Sequence, residues 1–108
     1  MLIISTKWLA KNVRGMAVFP FILVRERALR GNATLINHER IHLRQQAELL
    51  VIFFYLWYFA EYLYHYTKLR DSYRAYRRIS FEREAYANEH DFLYLKNRNL
   101  WGFWKYLK

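Results

Sequence analysis

The chain has 108 residues, which suffice for one compact domain with a single core and leave no room for a second, so residues 1–108 are treated as one domain. Cysteine is absent, so disulfides are excluded and any zinc site must use histidine and carboxylate ligands. The formal net charge of +9 and the high aromatic content suit an anionic membrane surface, nucleic acid or an acidic partner, but they do not choose among these.

The first predicted element is a strand near residue 20. An apolar stretch at residues 16–24 resembles a secretory signal, but it contains Pro20 and continues into charged residues without a small-residue cleavage site. A retained strand explains it better, so we expect a protein that is cytoplasmic or peripheral to the inner face of a membrane. Because proline cannot donate a ladder hydrogen bond, the segment FPFILV (19–24) is predicted to lie at a sheet edge or to be only partly paired. Such an edge could accept an extended peptide.

The chain after residue 34 is predicted to be mostly helical. Residues 31–34 carry a turn signal with a helix cap, and no further Gly or Pro occurs before Gly102. From Leu35 onward, apolar residues recur at helical spacing. The predicted fold is therefore mainly α, with a short N-terminal strand element before the first helix.

Residues 38–42 of that first helix read HERIH, an HExxH motif. His38 and His42 are one helical turn apart, so their imidazoles can bind one cation while Glu39 reaches a water beside it. By chance such a motif is expected in roughly one chain in 100 of this composition. The spacing is suggestive, and a third ligand must be sought.

Residues 49–66 form the second unusual segment, apolar and aromatic apart from Glu61 and His65. A membrane span needs about 20 apolar residues, so this stretch is marginal for one. We favour a helix buried all round in the core or in a homo-oligomer contact, with Glu61 paired to a basic residue. Peripheral membrane contact through 49–66 is the alternative, since tyrosine and tryptophan suit a water–lipid boundary.

The length of this segment predicts a break in the first helix. A continuous helix from His42 to Tyr66 would travel about 36 Å, whereas a helical return from Lys68 to Ile79 covers only about 17 Å. Because the outward path is about twice as long as the return, a residue near 80 would lie too far from the HERIH motif to share a metal ion with it. Either the first helix bends or ends between about Tyr55 and Glu61, or the return is largely extended; we predict the break.

A second acidic segment could supply the third ligand. Ser80 is a good N-cap, and the helix after it is predicted to run toward Leu95 and to end at residues 97–99. The aromatic residues Trp101, Phe103 and Trp104 are expected to pack back on the core. Within the helix, residues 81–89 carry three carboxylates.

The HERIH segment, followed some forty residues later by Glu82-Arg83-Glu84-Ala85-Tyr86, resembles the HExxH and ExxAD helices of gluzincin-type zinc metallopeptidases. The motif is similar to that of the CAAX prenyl protease and antirepressor-sensor lineages. The resemblance covers about residues 37–46 and 79–89. It implies a minimal zincin-like domain in which His38, His42 and Glu82 bind Zn²⁺ and Glu39 is the general base.

The sequence departs from that family pattern at Tyr86, where those peptidases have aspartate. The aspartate would orient a zinc-binding histidine, and a tyrosine hydroxyl can accept the same hydrogen bond without supplying a negative charge. Glu84, Glu89 and His90 are reserve ligands should the helix be rotated. Tyr86 and His90 are also candidates for stabilising an oxyanion.

Two functions follow from these observations. The first is a zinc-dependent metallopeptidase that acts on a peptide or protein substrate, with Glu39 activating the attacking water. The alternative is a non-catalytic basic and aromatic binding module for a membrane surface, nucleic acid or a protein partner, with structural zinc or none. Nucleic acid is the least expected of these partners.

Overall fold

The computed structural model describes residues 2–7, 9 and 13–107, and within them the predicted mainly α fold is confirmed. A small sheet is followed by a 3-10 turn, five helices and a final 3-10 turn. The strands are β1 (Leu2–Ser5), β2 (Gly15–Val18) and β3 (Phe21–Val24); the helices are α1 (Ala33–Glu48), α2 (Ile52–Leu69), α3 (Ser72–Arg78), α4 (Ser80–Asn88) and α5 (Tyr94–Asn97); the 3-10 turns are Arg27–Gly31 and Gly102–Tyr106.

The sheet has the strand order β1-β3-β2, with β1 parallel and β2 antiparallel to β3. The prediction that FPFILV forms a sheet edge is therefore wrong, because β3 is the central strand. Pro20 lies in the turn before β3, so its missing N–H removes no ladder hydrogen bond. Ile22 and Val24 of β3 are fully buried. The free edge of β2 borders the same cleft as the HERIH histidines.

Helix α1 begins at a cap, as predicted, and ends earlier than predicted. The Asn32 side chain accepts a hydrogen bond from the Leu35 N–H at 3.0 Å. The helix ends at Glu48, and α2 leaves it at an angle of 113°. The predicted break is confirmed, but its predicted place between Tyr55 and Glu61 is wrong.

The bend lies instead at residues 49–51, where Leu50 and Val51 adopt positive φ angles of 57° and 61°. Such angles cost a non-glycine residue roughly 1–2 kcal/mol each. Buried Leu49 fixes the corner, since it packs in the core cluster with Phe54 and Phe81. In the described part of the chain, no single helix is long and apolar enough to cross a membrane; only the bent pair α1 and α2 together meet that criterion.

Glu61 caps helix α4, which corrects two predictions. Ser80 is the first residue of the helix and not its cap, and its N–H and hydroxyl donate to the Glu61 carboxylate at 2.8 and 2.5 Å. Glu61 therefore satisfies a helix N-terminus, where the sequence interpretation had paired it with a basic residue. Of the three aromatic residues of the tail, Phe103 packs back as expected and is fully buried against Phe81, whereas Trp101 and Trp104 remain exposed.

Helix α4 ends at Asn88, not near Leu95, and a residue of α1 contacts the carbonyl groups where the helix ends and the chain turns away. The Asn37 amide lies within hydrogen-bonding distance of the carbonyl oxygens of Asn88, Glu89 and Asp91, at 3.3, 2.9 and 3.1 Å. The chain then turns and forms the separate short helix α5, which ends at Asn97. Asn37 directly precedes the HERIH motif, so this contact fixes α4 against the motif helix.

Candidate metal centre

Helices α1 and α4 bring the three predicted ligands together. His38 Nε2 and His42 Nε2 lie 3.2 Å apart, and Glu82 Oε1 lies 3.3 Å from the first and 3.0 Å from the second. All three side chains are buried. In the described part of the chain, this is the one group of three such residues whose donor atoms are close enough to share a cation.

The donor set fits zinc. The His38 Nδ1–H donates to Glu89 Oε1 at 2.6 Å, and the His42 Nδ1–H donates to Gln45 Oε1 at 2.7 Å. Both Nε2 atoms are therefore free to face the shared point as electron-pair donors. Tetrahedral zinc with bonds of about 2.0–2.1 Å requires ligand atoms about 3.3 Å apart, close to the three separations observed.

Glu89 occupies the role that Tyr86 leaves open. Predicted as a reserve ligand, Glu89 orients the His38 imidazole instead of joining the three ligand atoms. Tyr86 packs its ring edge-on against His38, with centroids 4.5 Å apart, and its hydroxyl bonds that of Tyr76 at 2.8 Å. The anionic acceptor thus lies one helical turn beyond the position where the resembling peptidases have aspartate.

The other reserve ligands do not join the centre. Glu84 is completely buried and receives hydrogen bonds from Arg98, Tyr94 and Gln45. His90 is exposed, and its Nδ1 faces the Thr34 hydroxyl at 3.4 Å. Neither side chain belongs to the group of three donor atoms around Glu82.

Gln45 links the second ligand to a buried ionic network. Its oxygen accepts from His42, while its Nε2 donates to Glu84 Oε1 at 2.8 Å and to the Phe81 carbonyl at 3.1 Å. This orientation of the amide leaves His42 Nδ1 only the role of donor. Glu84 is in turn bound by Arg98, so the orientation of His42 depends on residues far from the motif in sequence.

Tyr58 holds the remaining oxygen of the third ligand. Its hydroxyl donates to Glu82 Oε2 at 2.6 Å, which leaves Oε1 for the two histidines. Burial and the Glu82 charge both raise the pKa of Tyr58, so the phenol stays protonated and remains a donor. Burial opposes ionisation of Glu82, but the neighbouring His42 and His38 overcome it and hold the pKa of that carboxyl far below its usual range.

Glu39 differs from the other carboxylates of the site in having no hydrogen-bond partner among the described residues. It is only 6% exposed and lines the cleft beside the ligands. Burial raises the pKa of this carboxyl, although His42 and His38 act in the opposite direction. An unpaired carboxylate with a raised pKa, open to a cleft, suits proton transfer rather than structural support.

The cleft has a volume of about 790 Å³ and runs between the β2 edge and a wall of tyrosines. Gly15 and Met16 line one side, and a Cβ atom placed on Gly15 would lie 3.5 Å from Glu39 Oε2. The Gln46 amide joins β2 to α1, since it accepts from the Phe19 N–H at 2.8 Å and donates to the Ala17 carbonyl at 2.9 Å. The strand edge beside the centre is therefore fixed by the motif helix.

No protein-family model matches this chain, and no curated protein or solved structure matches it. The sequence located all three candidate ligands and Glu39, but it missed Gln45, Tyr58 and the role of Glu89. Gln45 lies three residues after His42 on the same helix face, so its spacing was a usable signal. Tyr58 is placed by the bend between α1 and α2, which no residue pattern marked.

The metal-free protein is expected to lose stability as the pH rises from about 6.5 to about 9. Burial disfavours the His42 imidazolium, but the charge and hydrogen bond of Glu82 outweigh this and raise the pKa of His42 to about 9. Because the folded-state pKa lies above the unfolded value, the contribution is complete below about 6.5 and disappears as the pH passes 9. Urea unfolding in the presence of a chelator should show a decline of up to about 1.4 kcal/mol per pH unit.

The His42→Gln variant provides the control for this titration. Its unfolding free energy should be nearly constant over the same interval, because the titrating group is gone. An equal decline in the variant would assign the titration to another residue.

Proposed function

We propose that this protein is a zinc-dependent metallopeptidase that hydrolyses peptide bonds with Glu39 as general base. The observation that carries the proposal is the pairing of a zinc-sized triangle of ligand atoms with a buried, unpaired carboxylate in the same cleft. His38, His42 and Glu82 would hold the metal. A structural zinc site would normally be closed by a fourth protein ligand, and the donor group here has three.

Zinc bound by three protein ligands acts as a Lewis acid that acidifies water and polarises a carbonyl group. Glu39 accepts the proton of the attacking water and returns it to the leaving amine. Its raised pKa brings its proton affinity closer to the operating range. Glu89 and Gln45 hold the imidazoles in the tautomer that ligation requires, and Tyr58 fixes Glu82.

The cleft supports an extended peptide or protein segment as substrate. Gly15 lies on the β2 edge next to Glu39, so a chain adding to this edge would run past the base. The Ala17 carbonyl already accepts hydrogen bonds from Gln46 and Tyr55, which closes the edge at that point. This proposal moves the peptide-binding edge from the predicted FPFILV strand to β2.

The Tyr76–Tyr86 pair is our candidate for stabilising the oxyanion. Both residues line the cleft, and their mutual hydrogen bond uses one of their two O–H groups, so one O–H is left to donate. Burial raises the pKa of both phenols, which keeps them protonated. His90, the other sequence candidate, does not line this cleft.

Metal content is the decisive first test. Protein purified without chelators or a metal-affinity tag should contain about one zinc per chain by mass spectrometry, and His42→Ala and Glu82→Ala should each contain almost none. His90→Ala is the matched control, because it removes an exposed histidine outside the centre and should leave the zinc in place. Unchanged zinc in both ligand variants, or no zinc in the wild type after addition of the metal, would refute the proposed site.

A further inference from the structure

The outward side of α2 is apolar and uncovered. Ile52, Leu56, Phe59 and Leu63 recur every three or four residues along it, and Phe53 lies beside Ile52; the exposed fractions of these five side chains range from 46% to 70%. We call these five residues the outer face of α2. Phe54 is the one fully buried residue of the helix, so the sequence interpretation of a helix buried all round in the core is wrong for the single chain.

The apolar surface extends beyond α2 into the C-terminal segment. Trp104 packs against Trp57 of α2 with ring centroids 6.0 Å apart, and Leu100, Trp101 and Trp104 are all exposed. A contiguous apolar surface of this kind marks a face that another phase or partner covers.

Charge indicates what covers it. Of the nine aspartate and glutamate residues, only Glu26, Asp71 and Asp91 are exposed, whereas most of the described lysines and arginines are. The net charge of +9 is therefore presented outward with little compensation. Lys68 and Arg70 lie at the C-terminal end of α2, and Lys105 follows Trp104, so exposed cations adjoin both the α2 part and the C-terminal part of the apolar surface.

We infer that the outer face of α2 docks on an anionic lipid bilayer, with the helix lying in the plane of the interface. Apolar side chains enter the headgroup and acyl boundary while flanking cations contact anionic headgroups. A second copy of the chain would carry the same positive charge to the same face and would be repelled. Nucleic acid would satisfy the cations but would leave the aliphatic side chains uncovered.

This inference does not depend on metal binding or catalysis. The opposite side of α2 carries Tyr58 and Tyr62, which line the cleft, so the helix would separate the lipid from the candidate centre. The anionic leaflet of a cell membrane faces the cytoplasm, in agreement with the location expected from the sequence.

Co-sedimentation with vesicles tests the inference. The full chain should bind vesicles of phosphatidylcholine mixed with phosphatidylglycerol much more strongly than vesicles of phosphatidylcholine alone. Leu56→Glu should weaken binding to the mixed vesicles by at least about tenfold, because it places a negative charge in the face of α2 that would enter the lipid. Ile4→Glu is the matched control, since it makes a similar change at a residue of β1 that is 43% exposed and away from α2.

The circular dichroism spectrum and the thermal unfolding midpoint should be unchanged in both variants, which would show that the fold is intact. Retention of binding in Ile4→Glu together with its loss in Leu56→Glu supports the docking face. Equal losses of vesicle binding in the two variants would show that the loss comes from the lower net positive charge alone, and would overturn the inference. So would the absence of binding to either vesicle, or a dimer in light scattering that Leu56→Glu dissociates.

Discussion

Replacing Glu39 by glutamine is expected to lower kcat/KM for peptide hydrolysis by about a hundred- to ten-thousandfold, the usual contribution of a positioned general base. Glutamine has nearly the same shape but cannot accept the proton of the attacking water. Because Glu39 is not among the ligand atoms, the zinc content should be unchanged. Hydrolysis of a fluorogenic peptide library and metal analysis on the same samples measure both quantities.

Glu26→Gln is the control for this substitution, because Glu26 is exposed and lies outside the cleft. It should retain wild-type activity. We also expect Glu39→Gln to raise the free energy of unfolding by about 1 kcal/mol, since a buried carboxylate without a partner among the described residues opposes folding. Activity surviving in Glu39→Gln would remove Glu39 as the base, and loss of zinc would give it a structural role instead.

Replacing Arg98 by methionine is expected to destabilise the protein by about 3–5 kcal/mol, the usual effect of breaking a buried ion pair from one side. The Arg98 side chain is 1% exposed and holds two buried carboxylates. Its Nη1 and Nη2 donate to the two oxygens of Glu48 at 2.7 and 3.1 Å, and its Nε and Nη2 donate to Glu84. Removing the cation would leave both carboxylates buried without it.

Urea unfolding of the metal-free protein measures this loss, and Arg40→Met provides the comparison. Arg40 is exposed on α1, so its replacement should change stability by no more than about 0.5 kcal/mol. Adding Glu84→Leu to Arg98→Met should recover part of the stability, because it removes one of the two stranded charges. If Arg98→Met were as stable as Arg40→Met, the network would not be a major contributor to the fold.

The sequence predicted the candidate metal ligands better than it predicted the residues that orient them. The HERIH spacing and the later acidic helix predicted His38, His42 and Glu82, because i and i+4 side chains share a helix face and a third ligand was needed. The resemblance placed the histidine-orienting acceptor at residue 86. It did not anticipate that Glu89, one turn further, could reach His38.

The chain path was harder to predict, because the residues that bend it are not those that usually do. Leu50 and Val51 form a sharp corner at positive φ, where glycine or asparagine would be expected. Tertiary packing of Leu49 determines this corner, and no local pattern reports such packing. Pro20 led to a wrong prediction of an edge strand, because it lies in the turn just before β3 and removes no hydrogen bond from that strand.

The Asn37 amide has a consequence for how the protein would bind the proposed metal. By contacting carbonyl groups at the end of α4 and just after it, this amide joins the two helices that carry the candidate ligands, through contacts that require no ion. Folding and binding of the proposed metal would then be separate events, unlike those of a zinc finger, which is unfolded until it binds its metal. A chelator would strip such a protein without unfolding it, and the empty, folded form could be recharged whenever free zinc rises. For the proposed metallopeptidase, catalytic output would then follow the supply of zinc, with no need for new synthesis or refolding of the chain.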